Sequence, residues 1–533
     1  MGKAGGSRRA EDGPDTRPDE EAAPSPPPSP PPSPDKARSD AEDDAEELLW
    51  HARSLGERLR ALSPQPVHAS ALASEIEALS AAAAERAWEG ERPLVRQQAR
   101  LRGLYKALAA LESAPDWHSA PGSLSRPLED LSPLSFLPGF NDYQRGYLPS
   151  LLPAERRLAE AARGPGGPPG RALLFSCGMG AIQTALQLWL GRGLRLLLGR
   201  RVYYETQTLL LHASADPASR PKITPLDEGE RRPEALASAL ASADAVFLDT
   251  ITLDREALRP DLSLLFQAIE ASGREGLEIV LDNTAPGPAL PLPAPPRGAR
   301  LFIVESLLKH YQAGLDLCAA GMLLVADSGD AARDQRLVHD IEVLRSANGT
   351  NINPYNARLL PPLPRWLLLS RSGRQARNAH LLAEGLGGAC EVSLLEGTGL
   401  LFCSHPDAEV ALAVLERLAL SRRVRLFRGT SFGFNDTRAS LPPGQEGEGQ
   451  VRFACGTEHR DEMARLIEIA RLSFAAAADP EVASLCFHLS RLFPGYPRET
   501  RPTAAALEAL EQHLSTFEEA VSRAARKRGL APG

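Results

Sequence analysis

Short apolar runs alternate with amphipathic stretches through the middle of the chain. Residues 172–176, 194–198, 245–249, 278–281, 301–304 and 322–325 are four or five mostly aliphatic positions that stop on polar ones, the pattern of buried strands. Helical periodicity fills the intervals at 179–191, 233–242 and 261–272. This alternation predicts an α/β fold in which helices cover both faces of a mostly parallel sheet. Ligands of such sheets collect at the carboxyl ends of the strands. Chemistry is therefore sought where each apolar run ends.

The pattern changes on either side of this core. Residues 1–42 have no periodicity, and the Pro/Ser run at 24–34 favours extended polyproline II, so a solvated, disordered tail is expected. From 43 to 130 a helical extension is predicted: Leu48, Leu55, Leu59 and Leu62 share a face, and Ala-rich helices at 70–87 and 95–112 follow a break at Ser63–Pro66. The large domain is read as 131–350, opening with an amphipathic helix at 151–163 and closing with a helical link near 328–346. A Pro-rich bend at 354–364 leads to a smaller α+β domain, 351–475. It has helices near 368–386 and 407–420 and strands at 392–395, 400–403 and 451–454. A helical tail, 476–533, carries Leu507, Leu510, Leu514, Phe517 and Val521 as a packing stripe behind a Thr503 N-cap.

Composition narrows the function classes. With 533 residues and a net charge of −8, the chain carries intermixed charges and few aromatics, so no nucleic-acid footprint is expected. No apolar run is long enough to span a bilayer, and the charged, Pro-rich start has no secretory signal. Six cysteines without CxxC spacing suit reduced thiols in a cytoplasmic protein and no metal site.

One composition detail bears directly on chemistry. Only six of the 60 basic residues are lysines, and Lys309 follows the apolar run 301–304 directly, as Glu305-Ser306-Leu307-Leu308-Lys309. Arg stays charged, whereas Lys can be tuned to a neutral nucleophile. The run before it, 278–281, ends in Asp282-Asn283-Thr284. One strand thus delivers a carboxylate and the next a hydroxyl and an amine. The strand–helix junction Ser176-Cys177-Gly178-Met179-Gly180 offers a Gly-containing helix start of the kind that grips phosphate. A Lys, a strand-end Asp and a phosphate-binding helix start together suit pyridoxal phosphate: an aldehyde for the amine, a pyridine nitrogen for the carboxylate, and a phosphate.

In this order the motifs resemble those of the fold-type I pyridoxal-phosphate enzymes, and among them the cysteine/methionine-metabolism (transsulfuration) family of cystathionine synthases and lyases, over about residues 140–475. The resemblance implies the following roles. Tyr143 and Arg145, with Pro149 four residues beyond the Arg, match a Tyr-x-Arg motif that binds the neighbouring subunit's phosphate, so a homodimer or homotetramer is expected. Cys177-Gly178-Met179-Gly180-Ala181-Ile182 is similar to the family's phosphate loop, making Gly178 and Met179 cofactor ligands. Tyr203 is the candidate for the stacked aromatic, with Tyr204 the alternative; Asp282 belongs on the pyridine nitrogen, Ser306 on phosphate, and Lys309 is the Schiff-base lysine. Arg452, in Val451-Arg452-Phe453, corresponds to the arginine that binds the substrate carboxylate, and Gly429-Thr430-Ser431 to a second carboxylate-contacting loop.

The chain departs from the family at defined points. Leu308 replaces a phosphate-binding Thr, Glu205 replaces a Gly near the ring, Leu148 replaces an Asn, and Asp249-Thr250-Ile251-Thr252 lacks the Asn expected near the cofactor's phenolic oxygen. The implied function is a pyridoxal-phosphate enzyme with lyase or sulfur-transfer chemistry on a Cys-, homocysteine- or cystathionine-like amino acid. The alternatives are an aminotransferase, or a relative that binds and regulates without catalysis.

Overall fold

The computed structural model describes residues 39–62, 69–84, 92–113, 151–163, 169–189, 194–212, 221–227, 229–254, 256, 258–290, 292, 294–442, 449–492 and 504–530. The expected Pro-rich tail up to residue 38, the Ser63–Pro66 break, Tyr143, Arg145 and Thr503 lie outside them.

Seven strands form the main sheet: β1 (Gly170–Phe175), β2 (Arg195–Gly199), β3 (Lys222–Leu226), β4 (Ala245–Asp249), β5 (Glu278–Asp282), β6 (Arg300–Ser306) and β7 (Gly321–Ala326). Their order is β1-β7-β6-β5-β4-β2-β3. The pairs β6–β5, β5–β4, β4–β2 and β2–β3 are parallel, and β7 runs antiparallel to both of its neighbours. The six runs read from the sequence are all strands of this sheet, and the fold class is the expected one. β4 and β5 are buried along their whole length, which is why they read as continuous apolar runs. Edge strand β3 escaped that reading because its first four residues, Lys222 to Pro225, are exposed and only Leu226 is buried.

Register brings the strand ends into line. Asp249 pairs with Asp282, Asp282 with Val304, Ser306 with Gly321, and Gly321 with Phe175 at the end of β1. Asp249, Asp282, Ser306 and the turn after β1 therefore share one edge of the sheet.

Helices α1 (Asp40–Ala61), α2 (Ala69–Ala84) and α3 (Pro93–Ser113) precede the sheet. Ser39 caps α1 in a reciprocal capping box with Glu42. Leu48, Leu55 and Leu59 are buried, as their spacing predicts, in one continuous core with the inner strands. Helices α4 (Leu152–Arg163), α5 (Gly178–Gln187), α6 (Tyr204–His212), α7 (Pro233–Ala241) and α8 (Leu262–Ala271) clothe the sheet. Helices α9 (Ala331–Ala347) and α10 (Pro354–Leu359) then lead to α11 (Arg365–Leu386).

A second sheet holds β8 (Glu391–Leu394), β9 (Leu400–Ser404), β10 (Phe427–Arg428), β11 (Arg438–Ser440) and β12 (Gln450–Ala454), in the order β10-β11-β12-β9-β8. Around it lie α12 (Ala408–Ser421), α13 (Arg460–Ala476), α14 (Pro480–Leu492) and α15 (Ala504–Lys527). Phe517 and Val521 of α15 are buried in the same core as Leu401, Leu415 and Phe453. The C-terminal stripe is thus a packing face. Among the described residues no helix is long and apolar enough to cross a membrane.

Candidate active site

Lys309 follows β6 by three residues, and its amine lies at the carboxyl edge of the sheet. Nζ donates a 2.6 Å hydrogen bond to Ser431 Oγ and sits 5.0 Å from the centre of the Phe432 ring. Gly433 explains how the 431–433 loop comes so close. Its φ is +84°, and a Cβ there would stand 1.7 Å from the Lys309 carbonyl oxygen, so only glycine fits. Burial, with Arg452 and Arg438 nearby, lowers the Lys309 amine to about 8. Near physiological pH it is still mostly protonated, but its neutral fraction is far larger than that of a free lysine.

Asp282 closes β5 and is 7 % exposed. Thr284 donates its backbone N–H to Asp282 Oδ1 at 2.9 Å, and Thr284 Oγ1 accepts from Ser306 N–H at 3.0 Å. One threonine thereby fixes both the carboxylate and the strand that carries the lysine. Burial raises the Asp282 carboxyl above the usual range, although the Thr284 hydrogen bonds and the Lys309 cation act against it. Behind it, Asn283 Nδ2 donates to Glu305 Oε1 at 2.7 Å and to the Gly287 carbonyl at 2.8 Å, and Thr250 donates to Asn283 Oδ1 at 3.0 Å. Burial lifts Glu305 to about 7.

The α5 start adjoins the same edge. Cys177 caps the helix, its Sγ accepting from Gly180 N–H at 3.3 Å. A Cβ on Gly178 would lie 3.0 Å from Ser306 Cβ, and one on Gly321 would meet the Cys177 carbonyl at 2.3 Å. These glycines let the helix start lie flush against Ser306. Met179, the second residue of α5, is partly buried against the core on that side of the sheet.

Tyr203 donates its backbone N–H to Asp249 Oδ2 at 3.0 Å, and its ring meets Tyr204 edge-on at 4.8 Å. Tyr204 is 49 % exposed. Burial, with Glu205 beside it, raises the Tyr203 phenol. Arg452, in the middle of β12, is buried, and its guanidinium donates to the Thr430 carbonyl. Burial lowers it, since it has no carboxylate partner among the described residues, and Tyr203 acts in the opposite sense. Lys309, Asp282, Ser306, Gly178, Tyr203 and Arg452 thus converge.

The sequence reading named Ser431 only within a loop and did not single out Phe432, Thr284, Glu305 or Arg438. Thr284 was legible as the third residue of Asp282-Asn283-Thr284; the others come from loops and strands with no pattern that could mark them. Among the described residues no group of three or more His, Cys, Asp or Glu could hold a metal ion, and the six cysteines are free thiols.

The profile of the Cys/Met metabolism PLP-dependent enzymes matches residues 137–421, over half of the chain. The chain belongs to that family. Its cofactor is pyridoxal phosphate. A curated relative, the bifunctional enzyme flvA of Aspergillus flavus, is 25 % identical over 333 residues, which are 56 % of this chain and 38 % of that protein. The chain therefore spans well under half the length of that relative. Among solved structures, metB from Corynebacterium glutamicum shares the fold at 19 % identity with a TM-score of 0.50, covering 69 % of this chain and 97 % of its own. A cystathionine γ-synthase from Xanthomonas oryzae pv. oryzae, in complex with aminoacrylate and cysteine, does so at 21 % identity and a TM-score of 0.51, covering 70 % and 98 %.

The residues present fit that cofactor. A buried, partly neutral amine, a buried carboxyl with no ion-pair partner among the described residues and a glycine-lined helix start against a serine match its aldehyde, ring nitrogen and phosphate.

Proposed function

We propose that the protein is a pyridoxal-phosphate-dependent enzyme with lyase or sulfur-transfer chemistry on a Cys-, homocysteine- or cystathionine-like amino acid. The observation that carries this reading is the Lys309 amine, hydrogen-bonded to Ser431 and lowered to about 8 by burial and by Arg452. Lys309 holds the aldehyde, Asp282 the ring nitrogen, and Tyr203 a ring face. The backbone of Gly178 and Met179, with the Ser306 hydroxyl, takes the phosphate. Bound pyridoxal phosphate supplies an aldehyde for amine exchange and a protonated ring that draws electrons from the substrate Cα.

The chain's own groups do the rest. Arg452 binds the α-carboxylate and orients Cα toward Nζ of Lys309, with Ser431 beside it. Once released, the Lys309 amine takes the Cα proton and returns it, which its lowered proton affinity suits near neutral pH. In a homodimer or homotetramer, Tyr143 and Arg145 reach the neighbouring subunit's phosphate. The protein works in the cytoplasm, with residues 131–350 as the cofactor domain, 351–475 as the small domain, and helical segments at either end.

Purified protein is expected to be yellow, to bleach with borohydride, and to be colourless as Lys309→Ala. A screen of amino acids for pyruvate, α-ketobutyrate and ammonia release is expected to find a sulfur-containing substrate. Transfer of the amino group without such release identifies an aminotransferase. Colour that no amino acid perturbs identifies a binding protein, the outcome favoured by Leu308 and by the absence of Asn in 249–252.

A further inference from the structure

The helices before the sheet are not needed to complete it, yet they grip the loops on both sides of Lys309. Arg92, immediately before α3, is 2 % exposed. Its guanidinium donates to the Asn435 carbonyl at 2.7 Å, pairs with Asp436, and pairs with Glu462 at 2.7 Å. Further along α3, Gln98 donates to the Gly314 carbonyl at 3.3 Å and Arg102 to the Leu315 carbonyl. From α1, Glu47 accepts from Arg371 Nη1 at 2.6 Å, while Arg371 Nη2 donates to Asn435 Oδ1 at 2.6 Å.

The two gripped loops are continuous with the site. Segment 313–316 begins four residues after Lys309, and segment 433–436 follows Ser431 and Phe432, which touch its amine. They also meet each other: a Cβ on Gly314 would stand 2.6 Å from Asn435 Oδ1 and 2.8 Å from Arg371 Nη2. The first of them has unusual backbone. Ala313 and Asp316 have φ of +51° and +53°, in the left-handed region that non-glycine residues seldom adopt. External donors to Gly314 and Leu315 hold that turn in place.

We infer that α1 and α3 form a brace for the Lys309 pocket, with Arg92, Gln98, Arg102 and Glu47 as positioning residues that set where Ser431 and Phe432 stand against the amine. The brace acts through the two loops and touches no substrate. It rests on the site assignment only in taking Lys309 as the reacting amine, and its structural half can be measured whether or not cofactor binds.

Hydrogen exchange of the full-length protein supplies that measurement. Removing Arg92 leaves Asp436 paired with Arg425 at 2.8 Å, so Arg92→Ala keeps one of the two ion pairs on that carboxylate. Arg92→Ala is expected to raise exchange over 430–437 on the order of 10-fold or more, with β4–β6 unchanged, and Arg92→Lys to restore part of the protection. In the cofactor-loaded enzyme kcat is expected to fall about 10-fold with little change in KM, because orientation rather than binding is disturbed. The pair Gln98→Ala and Arg102→Ala, on a less buried part of α3, is expected to loosen 310–317 and serves if Arg92→Ala does not fold. Arg58→Ala, which breaks the Arg58–Glu112 pair between α1 and α3 away from both loops, is expected to leave them protected. Unchanged exchange in both loops in every folded variant overturns the brace, and so does a rise spread evenly through the sheet strands.

Discussion

Two regions of this molecule bury arginine, and they do so in opposite ways. Along the seam between α1 and α11, each guanidinium meets a carboxylate. Asp40 pairs with Arg377, Asp44 with Arg374 at 2.7 Å and Glu47 with Arg371 at 2.6 Å. Asp44 also accepts from His459 at 3.2 Å, and Arg374 donates to the Thr457 carbonyl at 2.5 Å. In the pocket, Arg452 is equally buried but donates only to a backbone carbonyl among the described residues, while Arg438 and Lys309 add two more cations. Asp44 helps to hold the Arg374 proton more tightly than usual, whereas burial loosens that of Arg452. The seam's charges complete one another and specify how two helices dock. The pocket gathers three cations that make no ion pair among the described residues, as befits a site for a phosphate and a carboxylate.

The largest expected effect is at the seam. Arg374→Met leaves the buried Asp44 with His459 as its remaining partner, and urea denaturation is expected to show a loss of about 3 kcal/mol. Replacing both partners, Asp44→Leu with Arg374→Met, is expected to recover most of it, since no unpaired charge then remains. Arg452→Met leaves no carboxylate behind, so stability is expected to change by less than about 1 kcal/mol. Its cost falls on function: kcat/KM for an amino acid drops on the order of 10²-fold. Without Arg452 the Lys309 amine also rises above about 8, measurable as the pH midpoint of its chemical labelling in cofactor-free protein.

Glu305 is a third case, a buried carboxyl that answers burial by holding its proton. Raised from 4.5 to about 7, it binds more protons folded than unfolded between those values. Its contribution to stability therefore falls as pH rises through that window. Glu305→Gln is expected to flatten that slope and to add on the order of 2 kcal/mol at pH 8. The smallest effect is expected from Arg523→Ala, whose partner Glu481 is solvent-exposed: under about 0.5 kcal/mol in the same denaturation assay.

The same contrast explains what the sequence disclosed. The pocket was legible because its residues end apolar strands: Asp282 after a fully buried run, and Lys309 three residues beyond another in a chain with six lysines. The seam was not. Asp44 and Arg374 are 330 positions apart, and in a chain with 54 arginines each reads as a solvated charge until the fold brings them together. β10 and β11, with two and three residues, carry no period of their own and are strands only because β12 pairs beside β11. Helix α6 is short and half exposed, with too few buried positions to mark a face. Tertiary partners, which leave no local trace, decided each of these.

Lys309 is the residue on which cofactor binding depends most. Reducing the purified protein with borohydride, digesting it and mapping the pyridoxyl mass by tandem spectrometry tests this directly. The predicted result is one modified peptide, labelled at Lys309. Label at another of the six lysines, or an unlabelled protein after incubation with pyridoxal phosphate, contradicts it.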